Sequence, residues 1–351
     1  MNEINARKLY EYLLKQPANK KLAIVSFFIT NPAALAVLKN QWAKRDTKHA
    51  TVLGRSHEET QSVTHDEFGG SIVLVDPFSL EKGFICEIPI PLAFGLCFIK
   101  QNLTLLVTSG SYITKIRGGH SVGSLDNSLC NDLHTITKSS DGNVLIVSTG
   151  VDAILEVDLE TPHKVVWDWL ATEHGYDITP SGKTRAIDRK FDYRKEMIST
   201  PEHTTHINTA INDIGNRVLA TLFHQGQLIE IDRASKQIRI LISGLKSPHN
   251  IRCRHDGFML SDTRANRVLL LNREFRIETE IKADFNWVQD AIEIEENKKF
   301  FYLVCDSNND RLVLLNKLGQ SVSHLYWQKN SRKVSAVEIV TASEALQIFC
   351  L

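Results

Sequence analysis

The clearest pattern in the chain is a hairpin-like alternation of apolar and polar stretches that recurs about every 40 residues. Each copy has an apolar run, a small or polar turn and a second apolar run, and several copies end in Asp or Asn. The copies occupy residues 105–119, 144–158, 218–232, 258–272 and 302–316. Their starts are 39, 74, 40 and 44 residues apart. Such a period is typical of repeat architectures, and the longest gap predicts one period plus an insertion of about 30 residues.

Each hairpin is flanked by two further short strand-like runs, as at 133–136 before one hairpin and 164–169 after it. Four antiparallel strands in about 40 residues predict one blade of a β-propeller. A single blade cannot bury both of its faces, so the copies must pack around a common axis. We therefore expect an all-β fold, a six-bladed β-propeller of four-stranded antiparallel blades.

The sixth blade is expected to combine both ends of the chain, with strands at 334–340 and 345–351 joining strands at 70–76 and 83–90. Closing the ring in this way protects strand edges that would otherwise stay unpaired. Seven blades remain possible if the apolar run 21–29 belongs to another blade. Residues 1–20 read as a short helix with Leu9, Tyr12, Leu13 and Leu14 broadly on one side. The domain prediction is this helix followed by a single propeller, 21–351, with an insertion at 171–202 and a polar loop at 43–68.

Charge and cysteine usage narrow the partners and the compartment. The chain has 41 Lys and Arg and 41 Asp and Glu, so no strong uniform field attracts nucleic acid or an anionic membrane. The first residues are too polar for a secretory signal, and the run 22–29 is too short to span a bilayer. The six cysteines include no C-x-x-C pair. We expect a cytoplasmic protein that acts on a small molecule; its oligomeric state stays open.

Two hairpin turns carry a recognisable motif. Residues 262–268 read DTRANRV and residues 306–312 read DSNNDRL. They resemble the D-x-x-x-N-R-[IV] turn of NHL-type propellers, with Asp310 in place of the Asn and Leu312 at the end of the second copy. The resemblance implies a propeller fold and says little about function.

A second resemblance covers about a quarter of the chain. It rests on VWDW at 166–169, HTTHIN at 203–208, QLIEIDR at 227–233 and His249. This order is similar to the arylsulfotransferase-like propeller families, in which a W-x-W strand precedes an H-I-N strand. The resemblance implies sulfuryl transfer through a histidine, with His206 as the participant and Arg252, Arg254 or Arg264 neutralising the transferred anion.

The candidate site lies where the innermost strands begin. Laid over one another, these starts hold Gly95, His134, His206, His249 and Asp290. Rotation about the axis brings equivalent positions together near the mouth of the central channel. Three neutral imidazoles with an open position make a catalytic metal site, so His134, His206 and His249 are candidate ligands for Zn or Fe. Asp290 would then be a fourth ligand, a partner of a ligand or a general base.

Three functions stay open at this stage. The first is a metal-dependent lyase or hydrolase that acts on a small polar substrate. The second is metal-independent sulfuryl transfer, in which His203 and Arg264 assist His206. The third is a non-catalytic scaffold, in which the histidines only bond the backbone of neighbouring blades. The insertion 171–202, rich in Arg, Lys and Tyr, is either a lid that favours an anionic substrate or a solvated loop.

Overall fold

The computed structural model describes residues 3–37, 65–139, 142–161, 164–196, 198–213 and 215–351. In this part of the chain, strands make up most of the regular structure and form six four-stranded antiparallel sheets. The strands are β1 (Lys21–Ile29), β2 (Ser71–Val75), β3 (Cys86–Pro89), β4 (Ala93–Ile99), β5 (Thr104–Ser109), β6 (Tyr112–Arg117), β7 (His120–Leu125), β8 (Leu133–Lys138), β9 (Val144–Ser148), β10 (Ala153–Val157), β11 (Val165–Leu170), β12 (Ile207–Asp213), β13 (Arg217–Leu222), β14 (Gln227–Asp232), β15 (Ile238–Ile242), β16 (Pro248–Arg254), β17 (Gly257–Asp262), β18 (Arg267–Asn272), β19 (Ile277–Ile281), β20 (Val288–Glu296), β21 (Lys299–Asp306), β22 (Arg311–Asn316), β23 (Ser321–Tyr326) and β24 (Lys333–Thr341).

Each sheet is one blade, and the ring closes between the two ends of the chain. Blades 1 to 5 are β4–β7, β8–β11, β12–β15, β16–β19 and β20–β23, in chain order. Blade 6 has the order β24-β1-β2-β3, with Val25 opposite Val337 across the closing pair of strands. The predicted six-bladed β-propeller closed by its terminal strands is therefore confirmed. Because β1 belongs to blade 6, the count is six rather than seven.

The predicted strand at 345–351 is wrong, because this segment lies mostly in a helix, α2 (Ala342–Phe349). The side chain of Thr341 accepts a hydrogen bond from the backbone N–H of Glu344 (3.2 Å). The Glu344 carboxylate accepts one from the backbone N–H of Thr341 (2.7 Å). This reciprocal cap satisfies two backbone donors and starts a helix where the strand ends.

A helix also begins the described chain, α1 (Glu3–Leu14), and it packs against α2. Leu9 and Leu13 of α1 are buried in the core between blades 6 and 1, whereas Leu14 is exposed. Within the polar stretch 43–68, predicted as a loop, residues 43–64 lie outside the described residues and His65–Phe68 forms a 3-10 helix.

The hydrophobic core is divided among the interfaces between neighbouring blades. Apolar side chains of blades 2 and 3 meet around the fully buried Trp169, and those of blades 3 and 4 meet around Phe258. The other four interfaces have clusters of the same kind. Each fully buried aliphatic side chain contributes about 1.5–3 kcal/mol to folding. The packing therefore fixes how the blades are placed around the channel.

Candidate functional site

All six innermost strands carry a β-bulge close to their first residue. The bulge fixes which positions of the six blades are equivalent. By this register His134 and His249 are equivalent, whereas His206 lies two residues earlier, at the position that Asp132 holds in blade 2. Asp290 lies one residue later, with Gly95. The predicted alignment of these five residues is therefore wrong, although the three imidazoles still lie at the same end of the strands.

The entry to the innermost strand has a left-handed backbone in five blades. The residues with positive φ are Leu92, Asp132, His206, Ser247 and Trp287. His206 has φ 50° there, a conformation that residues other than Gly rarely adopt. Gly95 shows how close the blades come in this region, because a Cβ at this position would lie 2.6 Å from the carbonyl oxygen of His134.

Aromatic and imidazole rings from all six blades form a chain of contacts around this end of the channel, which we call the mouth. Centroid distances from Phe28 to Phe94, Phe94 to His134 and His134 to His206 are 4.4, 4.7 and 5.0 Å. Phe223 follows, with its ring 5.0 Å from His206 and 5.4 Å from His249. The ring of Trp287 lies 5.6 Å from that of His249. The members of the mouth are Phe28, Phe94, His134, His206, Phe223, His249 and Trp287.

His203 and His206 form a hydrogen-bonded pair. Their Nδ1 atoms lie 2.7 Å apart, and Nε2 of His203 lies 3.3 Å from the carbonyl oxygen of Ile198. A carbonyl oxygen can only accept, so Nε2 of His203 carries the proton and Nδ1 of the neutral ring accepts. The shared bond is then donated by Nδ1 of His206. Nε2 of His206 keeps its lone pair and has no hydrogen-bond partner among the described residues.

His134 differs from His206, because both of its ring nitrogens face hydrogen-bond acceptors. Its Nδ1 lies 2.9 Å from Oδ1 of Asn208, and the amide of Asn208 is oriented because its Nδ2 donates to the carbonyl oxygen of Pro248 (2.9 Å). Nε2 of His134 lies 3.4 Å from Oδ2 of Asp132. Both ring nitrogens therefore face acceptors, which favours the doubly protonated imidazolium.

His249 resembles His206 rather than His134. Its Nδ1 lies 2.8 Å from Oγ1 of Thr263 and 3.2 Å from the carbonyl oxygen of Ser247. The hydroxyl of Thr263 donates its one hydrogen to the carbonyl oxygen of Val288 (2.7 Å), so Nδ1 of His249 is the donor. Nε2 of His249 is left as an acceptor.

The pKa shifts agree with these hydrogen-bond patterns, which favour neutral rings for His203, His206 and His249 and a charged ring for His134. Burial lowers the pKa of His203 to about 4 and that of His249 to about 3. Burial, together with His134, His203, His224 and His249 around it, holds the pKa of His206 well below its usual value. Burial also disfavours charge on His134, but the carboxylate of Asp132 and the amide of Asn208 outweigh it and raise the pKa of His134. Adjacent groups with pKa values pushed apart are typical of acid–base pairs.

The predicted metal site is not formed by these residues. Across the described ranges, no group of three His, Cys, Asp or Glu side chains is placed to hold a metal ion. His134 presents both ring nitrogens as donors to Asp132 and Asn208, and a metal ligand must present a lone pair. The phenyl ring of Phe223 contacts both His206 and His249, with centroid distances of 5.0 and 5.4 Å. The chemistry of the donor set therefore does not fit a Zn or Fe ion held by His134, His206 and His249.

Asp290, predicted as a catalytic residue, belongs to an ion pair between blades. Its carboxylate accepts from Nε and Nη2 of Arg252 (2.8 and 2.5 Å) and from the backbone N–H of Val337 (2.9 Å). The side chain of Asp290 is fully buried. Its partners lie in blades 4 and 6, so it ties three blades together.

Arg264 lies at the rim of the mouth. Its guanidinium carbon is 5.9 Å from the ring centroids of both Phe223 and Trp287, and the residue is exposed. These two rings flank His249. A cation above two aromatic walls favours an anionic or electron-rich group on a ligand in the mouth.

Asp152, which is not among the predicted site residues, organises the loop that carries the histidine pair. It is fully buried at the left-handed position of the β9–β10 turn, with φ 53°. Its carboxylate accepts from the backbone N–H groups of Thr204, Thr205 and His206 (2.7, 3.0 and 2.7 Å). The signal in the sequence is its alignment with the Asn and Asp of the two NHL-like turns.

Those two turns use the same left-handed position in the same way. Oδ1 of Asn266 accepts from the backbone N–H of Trp287 (2.9 Å), and Oδ2 of Asp310 accepts from that of Asn330 (3.0 Å). Both residues have φ 52°. Asn and Asp are interchangeable here because either one supplies the acceptor oxygen that links one blade to the entry of the next.

The three arginines of the insertion 171–202 are paired with carboxylates of the propeller and of the insertion itself. Arg185 binds Asp152, and Arg189 binds Asp168 and Glu173. Arg194 binds Asp126 (3.0 Å) and Asp192 (2.7 Å). The pairs with Asp152, Asp168 and Asp126 hold the insertion against blade 2 and the connection between β7 and β8, so these three arginines serve first to anchor it.

The W-x-W segment of the second resemblance is part of the packing. Trp169 is fully buried and stacks on His174 with centroids 5.3 Å apart. Nε1 of Trp167 donates to the carbonyl oxygen of Arg233 (2.9 Å), whose guanidinium carbon lies 4.8 Å from the Trp167 ring. None of these three contacts involves a member of the mouth.

Comparison with known proteins supports the fold and leaves the family open. No family model and no curated protein matches the chain. A protein of unknown function from Bacteroides caccae matches with a TM-score of 0.56 and 16% identity over 77% of this chain and 94% of that one. The periplasmic gluconolactonase of Pseudomonas aeruginosa matches with a TM-score of 0.53 and 13% identity over 92% and 99%.

A chain of the nidogen–laminin complex matches with a TM-score of 0.51 and 10% identity over 92% of this chain and 99% of that one. At such identities the likeness shows a shared propeller fold and no more. The resemblances to NHL-type and arylsulfotransferase-like propellers therefore stay predictions.

Two cavities lie away from the mouth. One, of about 430 Å³, is lined by residues of α1 and blade 6, including Tyr12 and Cys86. The other, of about 400 Å³, lies beside Trp327 and Arg332. No helix within the described residues is long and apolar enough to cross a membrane.

Proposed function

We propose that this protein is a metal-independent enzyme that performs acid–base catalysis on a small polar substrate at the mouth of the propeller, as a lyase or hydrolase. The observation that carries the proposal is the pair His134 and His206, whose ring centroids lie 5.0 Å apart. Their pKa values are displaced in opposite directions. His134 faces acceptors with both ring nitrogens, whereas His206 keeps a lone pair on Nε2. An acid and a base held side by side can serve both proton transfers of one reaction.

In this scheme His206 is the general base. Its Nε2 takes a proton from the substrate or from a water, while His203 accepts the bond from Nδ1 and fixes the ring. His134 is the general acid, which returns a proton from Nε2–H to the leaving atom. Asp132 stabilises the imidazolium of His134 before that transfer. His249 accepts a hydrogen bond from the substrate through Nε2, and Arg264 favours an anionic group at the rim.

The test is a panel of substrates that contain an ionisable or hydrolysable polar centre. Lactones are included because a gluconolactonase shares the fold, with acetate esters and β-hydroxy acids alongside. The protein is dialysed against EDTA first. We compare wild type with His206→Asn, since Asn tolerates a left-handed backbone, and with His120→Asn on an exposed outer strand.

The expected result is turnover that survives EDTA, falls about 10²–10⁴-fold in His206→Asn and is unchanged in His120→Asn. Activity that requires an added metal would restore the metal hypothesis. Labelling of His206 by an aryl sulfate donor would favour sulfuryl transfer. No turnover across the panel, together with a protein partner that binds equally well to all variants, would favour the scaffold.

A further inference from the structure

The end of the insertion makes direct contacts with the imidazoles of blade 3. The carbonyl oxygen of Ile198 lies 3.3 Å from Nε2 of His203, and that of Thr200 lies 3.1 Å from Nε2 of His224. Backbone carbonyls accept and never donate, so each contact places a proton on the imidazole nitrogen that faces it. The insertion therefore reaches the base through the carbonyl of Ile198.

A clamp between Arg185 and the buried Asp152 anchors an earlier part of the insertion to blade 2. Arg185 of the insertion donates from Nη1 to Oδ2 of Asp152 (2.9 Å) and from Nη2 to the carbonyl oxygen of Gly150 (2.6 Å). The same Asp152 carboxylate accepts from the hydroxyls of Thr204 and Thr205 (3.1 and 2.7 Å). One carboxylate thus joins the insertion to the loop of the histidine pair.

A second anchor holds the insertion on the side of blade 2. Nδ2 of Asn131 donates to the carbonyl oxygens of Tyr193 and Glu196 (2.7 and 2.8 Å). Asn131 is buried and directly precedes Asp132, the partner of His134. The insertion is therefore tied down at Arg185 and again at Tyr193 and Glu196, and Ile198 follows the second anchor by two residues.

We propose that the insertion 171–202 sets the tautomer of the His203–His206 pair, with Asp152 and Arg185 as its positioning residues. The inference deepens the proposed function, because it explains why Nε2 of His206 has a lone pair. Without an acceptor at Nε2 of His203, the proton of His203 is free to move to Nδ1. His206 would then accept a hydrogen bond at Nδ1 and carry its proton on Nε2. Nε2 would have no lone pair left with which to act as a base.

The tautomers are read directly by long-range ¹H–¹⁵N NMR of the histidine rings in the intact protein, which needs no substrate. The variants are Arg185→Gln, which removes the cation of the clamp, and Arg185→Lys, which keeps it. Arg189→Gln is the matched control, since Arg189 lies in the same insertion but pairs with Asp168 and Glu173. Asp152→Asn is a second test from the other side of the clamp.

We expect wild type and Arg189→Gln to show His206 protonated on Nδ1. Arg185→Gln should show a population protonated on Nε2 at least several times larger, and Arg185→Lys should restore much of the wild-type state. Where turnover is measurable, kcat should fall about tenfold in Arg185→Gln with KM unchanged, because the guanidinium of Arg185 contacts Asp152 and Gly150, which lie outside the mouth.

Two outcomes overturn the inference: Arg185→Gln and Asp152→Asn with wild-type tautomers, or wild-type protein with His206 protonated on Nε2. If the variants shift the tautomer but the wild-type protein has no His206-dependent turnover, the positioning stands and the proposed function fails. If Asp152→Asn does not fold, Arg185→Gln alone decides.

Discussion

Nδ1 of His206 lies 2.7 Å from Nδ1 of His203, and both rings are buried. Because His203 uses Nε2 for the carbonyl of Ile198, the hydrogen of the shared bond belongs to His206. This contact turns a histidine that could hold its proton on either nitrogen into a base with one defined lone pair. It also explains why two histidines three residues apart are needed in the loop.

Replacing His203, which accepts the hydrogen bond from Nδ1 of His206, should therefore impair His206 as a base while leaving its side chain in place. In His203→Phe, whose planar ring replaces the imidazole, His206 loses the partner that fixes its Nδ1–H. We expect kcat to fall at least about tenfold while KM changes little, since His203 is fully buried and does not line the mouth. Steady-state kinetics check this, and an unchanged kcat would remove His203 from the mechanism.

Asp132 should control the protonation of His134, the proposed general acid. The carboxylate favours the imidazolium of His134 and raises its pKa. Asp132→Asn keeps a residue that tolerates the left-handed backbone at φ 47° but removes the charge. The alkaline limb of kcat/KM should then move to lower pH, because His134 loses its proton earlier. A pH–rate profile that is the same in wild type and variant would contradict the assignment of His134 as acid.

The lowered pKa values of the buried histidines predict that the folded protein is less stable at acidic pH. His203 and His249 have folded pKa values of about 4 and 3, below the unfolded value of about 6.5. The unfolded chain then binds more protons, so stability is full above about 6.5 and is lost as the pH falls. Each histidine costs about 1.4 kcal/mol per pH unit below that value. His134 has the opposite sign, with stability present below about 6.5 and lost as the pH rises through its raised pKa.

We therefore expect the Tm to fall from pH 7 to pH 5, and to fall less steeply in His249→Asn. Thermal unfolding followed by circular dichroism measures both curves. A Tm that rises towards pH 5 would mean that His203, His206 and His249 are not held neutral in the folded protein.

Asp290 and Arg252 should matter for folding and not for turnover. Removing one partner of a buried ion pair costs about 3–5 kcal/mol, and in Asp290→Asn the counter-charge left to Arg252 is Glu338, 3.9 Å from its Nη1. We expect Asp290→Asn to lower the free energy of unfolding by about that amount, with kcat retained at temperatures where the variant is folded. Denaturant unfolding gives the first quantity, and a large loss of kcat in the folded variant would return Asp290 to the catalytic site.

The propeller could be predicted from the sequence because the hairpin repeat is a local, repeated pattern. The register of the histidines could not, since it depends on a bulge and on the left-handed φ of His206, which have no signature in the order of apolar residues. The role of Asp290 depends on Arg252 in the neighbouring blade, 38 residues away. The helix α2 was within reach of sequence reasoning, because Thr341 and Glu344 have the spacing of a capping box.

The central claim is that His134 is charged while the neighbouring His206 is neutral. Ring ¹⁵N NMR of the wild-type protein across pH 4–9 measures these charges most directly. The account predicts that at pH 6 His134 is protonated on both nitrogens and His206 is neutral with its proton on Nδ1. It further predicts that His134 loses its proton above pH 6.5. A neutral His134 at pH 6, or a His206 that is charged at pH 7, would contradict the acid–base site.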